Sequence, residues 1–297
     1  MTQRIRRSVN IENPTARDFF LSDHEILSAT DIEQMEDNFF FRLRLPNGTK
    51  KTTYRHRLDD VALACNRLLS STTTPLRLMD VGISSGVTTK EWMDILDGLD
   101  RPYCIDAIDL CLYGMIESLG EGFHILRDSS GQALQYEIWG WALANHYGQR
   151  IRSRVKRFLP VSLARIAFAI GCLGWGNREQ RSEKVSFVTR GLETSDRLRL
   201  HEADIFQIGN LGRTFHMIRA ANILNRAYFS NLQLESVVKQ LLLCMDIGSY
   251  LVVVRTREDM PKNDGTIFIK KAAGNLGIAE RFGTGSEIEP IVLGLND

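Results

Sequence analysis

The stretch Leu76-Arg77-Leu78-Met79-Asp80-Val81-Gly82-Ile83-Ser84-Ser85-Gly86-Val87-Thr88-Thr89-Lys90-Glu91-Trp92 sets the class of structure. Residues 76–81 form a short apolar run that reads as a strand with Asp80 at its end, and a helix is expected from near Thr88. Between them, Gly82 and Gly86 let the backbone turn sharply and let a ligand approach closely. The helix N-terminus beyond the loop presents unpaired N–H groups. A strand, a glycine loop and a helix in this order suit a nucleotide-like ligand at the carboxyl end of a first strand. A purely structural turn is the competing reading of the loop taken alone.

Outward from this stretch the texture repeats. Short apolar runs at 103–108, 198–201, 215–219 and 250–255 alternate with helical or longer connections, which implies a parallel sheet with helices on both faces. Two further strand candidates, 266–270 and 278–282, are joined by Ala272-Ala273-Gly274-Asn275, too short for a crossover, so they are expected to pair antiparallel. Upstream, residues 1–20 read as a polar arm and 22–69 as mostly helical. Ser22 and Glu25 stand at capping-box spacing, and Leu58, Val61, Ala62, Leu63, Cys65, Leu68 and Leu69 mark an amphipathic helix. The aromatic segment 38–45, ahead of the turn Pro46-Asn47-Gly48, is expected to be extended. The Ser/Thr-rich connector ending at Pro75 is the expected boundary between a helical N-terminal extension, 1–75, and the main domain, 76–297. A crossover helix needs about a dozen residues or somewhat more, so the long span 111–197 is an insertion with its own structure.

The loop lacks the Gly-x-Gly-x-x-Gly spacing of dinucleotide sites. Asp80 ahead of Gly82 would repel a pyrophosphate and suits a cationic ligand. Asp109 ends the second strand, where a carboxylate accepts from ribose hydroxyls, and Asp204 follows the third, placed to accept from an adenine amino group. Phe215 to Asn225 is a strand running into a polar turn.

These residues resemble the class I S-adenosylmethionine-dependent methyltransferases over roughly 76–110 and 198–293. The resemblance implies a Rossmann-like α/β fold: a mostly parallel seven-stranded sheet with an antiparallel last strand, here with the N-terminal extension and the insertion after the second strand. It implies S-adenosyl-L-methionine as cofactor, with Asp80, Gly82, Ser84 and Gly86 at its methionine part, Asp109 and Leu110 at the ribose, and Ala203 and Asp204 at the adenine. Arg219 to Asn222, at the exit of the fourth strand, would face cofactor and acceptor. Ser84 stands where the commonest family loop has a glycine, and His216 where family members often have Asp. Ala221-Asn222-Ile223-Leu224 replaces the Asn-Pro-Pro-Tyr type motif, which discounts adenine and glutamine amino nitrogens as acceptors. The implied activity is methyl transfer to oxygen or nitrogen of a small-molecule or lipid-like acceptor. Asn222 and Tyr228 are expected to line the acceptor site, with His146 or His124 as base. A nicotinamide oxidoreductase and a catalytically degenerate scaffold or membrane adaptor remain as rivals, and an RNA or protein acceptor is a further alternative.

The composition of the 297 residues, 43% hydrophobic and 25% charged, excludes a collagen-like or wholly disordered chain. The net charge of +1 conceals a basic segment: from 148 to 190 there are ten basic and two acidic residues, a local +8, leaving the remainder at −7. That segment and the apolar stretch 158–175 read either as a lid on the catalytic domain or as a peripheral contact with anionic membrane. Nucleic acid is not expected as a partner. Five scattered cysteines form no Cys-x-x-Cys, and His-Glu-x-x-His is missing, so no metal is implied. With no secretory h-region and no long apolar span, the expected setting is cytoplasmic.

Overall fold

A computed structural model of the chain describes residues 9–22, 27–45, 51, 53–72, 74–99, 101–120, 122–145, 181–257, 262–272 and 274–295. In chain order its elements are α1 (Ala16–Phe20), α2 (Ala29–Arg42), α3 (Asp59–Leu69), β1 (Leu76–Val81), α4 (Val87–Leu96), β2 (Tyr103–Asp109), β3 (Tyr113–Gly120), β4 (Phe123–Asp128), β5 (Ala133–Ile138), β6 (Trp141–Ala144) and β7 (Arg181–Ser186). There follow β8 (Leu198–Glu202), a 3-10 helix (Ile205–Leu211), β9 (Phe215–Ala221), α5 (Asn231–Leu243), β10 (Met245–Thr256), β11 (Asn263–Lys270), β12 (Leu276–Phe282) and α6 (Glu289–Gly294). They divide into two units. One comprises residues 1–53 and 113–187, the other 54–112 and 188–297.

The second unit holds the Rossmann-like sheet expected from the sequence, in the order β12-β11-β10-β9-β1-β2-β8. Strands β8, β2, β1, β9 and β10 run parallel, β11 pairs antiparallel with β10, and the last strand pairs antiparallel with β11. Helix α4 makes the β1–β2 crossover and α5 the β9–β10 crossover. Because residues alternate across a strand, Met79 and Val81 face α5 and α6, where they pack with Val237, Val238, Leu241 and Val292. Asp80 faces the other way and bonds Thr89 on α4. Fully burying an aliphatic side chain of this kind is worth roughly 1.5–3 kcal/mol. Between β2 and β8 the chain passes through the first unit and returns along α4. There the Thr189 N–H bonds the Ser85 carbonyl (2.6 Å) and the Lys90 ammonium bonds the Arg190 carbonyl.

The first unit is an antiparallel sheet in the order β6-β5-β4-β3-β7. Strands β4 and β5 form a hairpin whose turn is Asp128 to Gln132. A second tight turn, Trp139-Gly140, joins β5 to β6 with both residues at positive φ, and Trp139 and Trp141 are exposed. The N-terminal segment packs on this sheet, with the Ala16 N–H on Gln135 and a Phe19–Phe39 stack at 4.7 Å.

Segment 38–45 departs from expectation. Helix α2 runs through to Arg42, because Met35, Phe39 and Phe40 bury one helical face and Ser28 with Asp31 makes a capping box at its start. The capping box expected at Ser22 and Glu25 falls partly outside the described residues; capping boxes are present at Thr15 with Asp18, Ser28 with Asp31 and Ser230 with Gln233. Segment 54–75, expected with the N-terminal extension, belongs to the unit that holds the seven-stranded sheet, while 1–53 groups with 113–187.

Candidate functional site

Leaving β1, the chain visits β2 and β8 on one side and then returns to β9 on the other, so the strand order reverses between β1 and β9. In open α/β sheets, ligands bind outside the carboxyl ends of the strands at such a reversal. The loop 82–86 stands there. Gly82 (φ 73°), Ser84 (φ 58°) and Gly86 (φ 74°) are all left-handed, an alternation that folds the loop back over the strand end. A Cβ on Gly82 would sit 2.7 Å from the Ile223 side chain, and one on Gly86 2.4 Å from Leu192, so neighbours enclose the loop on both flanks. Ser84 takes the backbone conformation that a glycine adopts freely, at a cost of about 1–2 kcal/mol. Its N–H donates to Asp109 Oδ2 at 2.7 Å.

That hydrogen bond ties the loop to the end of β2. Asp109 also accepts from the Cys111 N–H through Oδ1 (3.1 Å), and its carbonyl accepts from Ala203 (3.0 Å), which brings the end of β8 alongside. Leu110 is 55% exposed beside it. Asp204 is exposed and caps the 3-10 helix by accepting from the Phe206 N–H. Asp109, Leu110, Ala203, Asp204 and Ser84 are thus gathered at one edge of the loop.

The other expected site residues stand elsewhere. Asp80 is 3% exposed, and its carboxylate is engaged beneath α4. Oδ1 accepts from Arg219 Nε (3.0 Å), while Oδ2 accepts from Arg219 Nη2 and from the Thr89 hydroxyl (2.7 Å). Arg219 is fully buried, donates to the Thr88 carbonyl, and lies 4.3 Å from the Trp92 ring centroid. Asp80, expected to meet a cationic ligand, and Arg219, expected to face the cofactor, are thus paired with each other in this buried layer. Asn222, at φ 61°, uses its carboxamide to hold the end of β10: Oδ1 accepts from the Thr256 N–H (2.7 Å) and Nδ2 donates to the Thr256 hydroxyl. Tyr228 is exposed in the turn after β9. His124 lies in the first unit, bonded to the Ser118 hydroxyl and Arg17. His146 and most of the basic segment 148–190 are outside the described residues.

One group on this side escaped the sequence reading. Residues 54–60 bridge α4, through Glu91, and the start of β11, through Asn263. The Asn263 carboxamide donates to the Arg57 carbonyl (2.8 Å) and to Asp60 (2.6 Å), and accepts from Thr256, which Asn222 holds. The His56 N–H donates to Glu91 on α4 (2.8 Å), and His56 Nδ1 lies 3.1 Å from Asp59. Burial raises the Glu91 carboxyl above its ordinary range, and burial together with the nearby Arg219 charge lowers Arg57. The available signal was Tyr54-Arg55-His56-Arg57 immediately before an amphipathic helix, with Asp59 three residues after the histidine. Among the described residues no cluster of His, Cys, Asp or Glu could hold a metal, and no helix is long and apolar enough to cross a membrane.

No family model matches the sequence, and no curated protein matches it. Solved structures that align with the chain include the N-methyltransferase NodS from Bradyrhizobium japonicum WM9 in complex with S-adenosyl-L-homocysteine, at 11% identity and a TM-score of 0.33. That alignment covers 70% of this chain and 66% of NodS. The CMeT domain of citrinin polyketide synthase aligns at 15% identity and a TM-score of 0.36, covering 79% of this chain and 41% of that one. The sugar N-methyltransferase KedS8 from Streptoalloteichus sp ATCC 53650 aligns at 12% identity and a TM-score of 0.31, covering 66% and 46%.

Proposed function

We propose that the chain is an S-adenosyl-L-methionine-dependent methyltransferase acting on an oxygen or nitrogen of a small-molecule or lipid-like acceptor. The observation that carries this reading is the three-fold left-handed loop at the sheet's reversal point, hydrogen-bonded through Ser84 to Asp109. The residues suit the nucleoside end of the cofactor. Asp109 accepts the Ser84 N–H through Oδ2 and the Cys111 N–H through Oδ1, which holds its carboxylate at the edge of the loop where a ribose hydroxyl would lie. Leu110 offers an exposed apolar face to a base, Ala203 is fixed beside it, and the exposed Asp204 accepts from an amino group. The first turn of α4 has no side-chain cap and no acidic residue, which suits a carboxylate.

When bound, the cofactor supplies an electrophilic methyl group on a sulfonium sulfur. The protein's part is then to align an acceptor, and orientation alone contributes on the order of 7–11 kcal/mol in ideal cases. Tyr228 and the Asn222 turn stand at the exit of β9 and would line the acceptor side, Asn222 by holding the turn in place. Peripheral contact with anionic membrane through 148–190, in a cytoplasmic setting, belongs to the same reading and rests on the sequence charge. Flotation with phosphatidylserine vesicles at low and high salt tests it.

A second reading, a degenerate methyltransferase fold serving as a scaffold, draws on the Asp80–Arg219 pair, which occupies the loop's acidic residue. Incubation with methyl-labelled S-adenosylmethionine and a fractionated cell extract separates the two. The enzyme reading expects label in the small-molecule or lipid fraction. Label in none, with a folded protein, selects the scaffold.

A further inference from the structure

Four features meet at His56. Its backbone is left-handed (φ 59°), a strained conformation for a non-glycine residue that persists only where the surroundings impose it. They do so here: its N–H is bound by Glu91 on α4, and the next carbonyl, that of Arg57, by Asn263. Asp59 lies 3.1 Å from Nδ1. Against a carboxylate Nδ1 carries the proton, so Nε2 presents its lone pair. Finally, the imidazole is 76% exposed, while the Arg57 carbonyl beside it is bound by Asn263 at the start of β11, which also accepts from Thr256, the residue that Asn222 holds at the exit of β9.

We propose that His56 is the base that takes the proton from the acceptor's hydroxyl or amine, with Asp59 fixing the ring and balancing the imidazolium. This rests on the methyltransferase reading. The acceptor's O–H or N–H bond breaks, its electron pair stays on the acceptor atom, and a new N–H bond forms at Nε2. The imidazolium then releases that proton to water. The other charged or titratable groups around it include Glu91 on α4 and, on its own segment, Tyr54, Arg55, Arg57 and Asp60.

The test uses the full chain in three forms: wild type, His56→Asn and His56→Gly. Asparagine and glycine both tolerate the positive φ. Labelling of the responsive extract fraction by methyl-labelled S-adenosylmethionine should fall 100- to 10,000-fold in both variants. Calorimetric affinity for S-adenosylhomocysteine should stay within about twofold of wild type, an expectation that rests on the exposed position of the ring. Millimolar imidazole should restore labelling to His56→Gly, which a structural role would not allow. Labelling within about threefold of wild type in His56→Gly, or a loss that imidazole leaves untouched, overturns the proposal while bound S-adenosylhomocysteine keeps the parent reading. Wild-type protein that binds no S-adenosylhomocysteine, or labels no fraction, removes both.

Discussion

Asp80 and Arg219 show how one register decides the chemistry of a side chain. They are directly opposed on neighbouring parallel strands, both on the face beneath α4, so a bidentate buried pair forms at once. Removing one member of such a pair leaves an uncompensated buried charge, at about 3–5 kcal/mol. Asp80→Asn should therefore lower the denaturant midpoint steeply. The double replacement Asp80→Leu with Arg219→Met should lose far less than the single, since a well-packed apolar pair often costs little. Ser84 offers the opposite case. Ser84→Gly removes about 1–2 kcal/mol of left-handed strain and gives back roughly 0.4–1 kcal/mol through a more flexible unfolded chain. A thermal midpoint unchanged or raised by a few degrees is expected, and a clear fall would mean that the serine side chain supports the loop.

At the scale of elements, the parallel strands were legible because each is a short apolar run closed by turn residues. The final hairpin followed from a connection too short to cross over. Only the last turn of α2, within 38–45, departs from expectation, because Phe39-Phe40-Phe41 has strand composition while its burial continues a helical face that begins at Met35. In the site, the loop and its neighbours Asp109 and Asp204 could be read locally. The pairing of Asp80 with Arg219, and the network from Asn222 to Arg57, could not, because each joins residues far apart in sequence through strand register. His216 belongs to this scale. It begins β9 at the amino ends of the strands, where Nδ1 accepts from the Arg77 N–H (3.0 Å) and Nε2 meets the Thr74 hydroxyl. Burial first, and the Arg77 charge second, lower its pKa from 6.5. With the folded value below the unfolded one, its contribution is present above the unfolded pKa and is lost as pH falls toward the folded value. Between pH 7 and pH 5 the wild type should lose more thermal stability than His216→Gln, measured side by side.

At the scale of the whole chain, a parallel sheet with a reversal point carries a second, antiparallel unit inserted between β2 and β8, where a single helix would suffice. The charge is divided as well, +8 over residues 148–190 and −7 over the rest, so the basic segment is chemically distinct from the remainder of the chain. Everything proposed for the chain depends on the nucleoside end of the site, at Asp109, Leu110 and Asp204. Calorimetric titration of the full chain with S-adenosylhomocysteine, and separately with NADH, tests it most directly. The account predicts saturable one-to-one binding of S-adenosylhomocysteine, weakened tenfold or more by Asp109→Ala and unmatched by NADH; no binding, or binding of NADH instead, would contradict it.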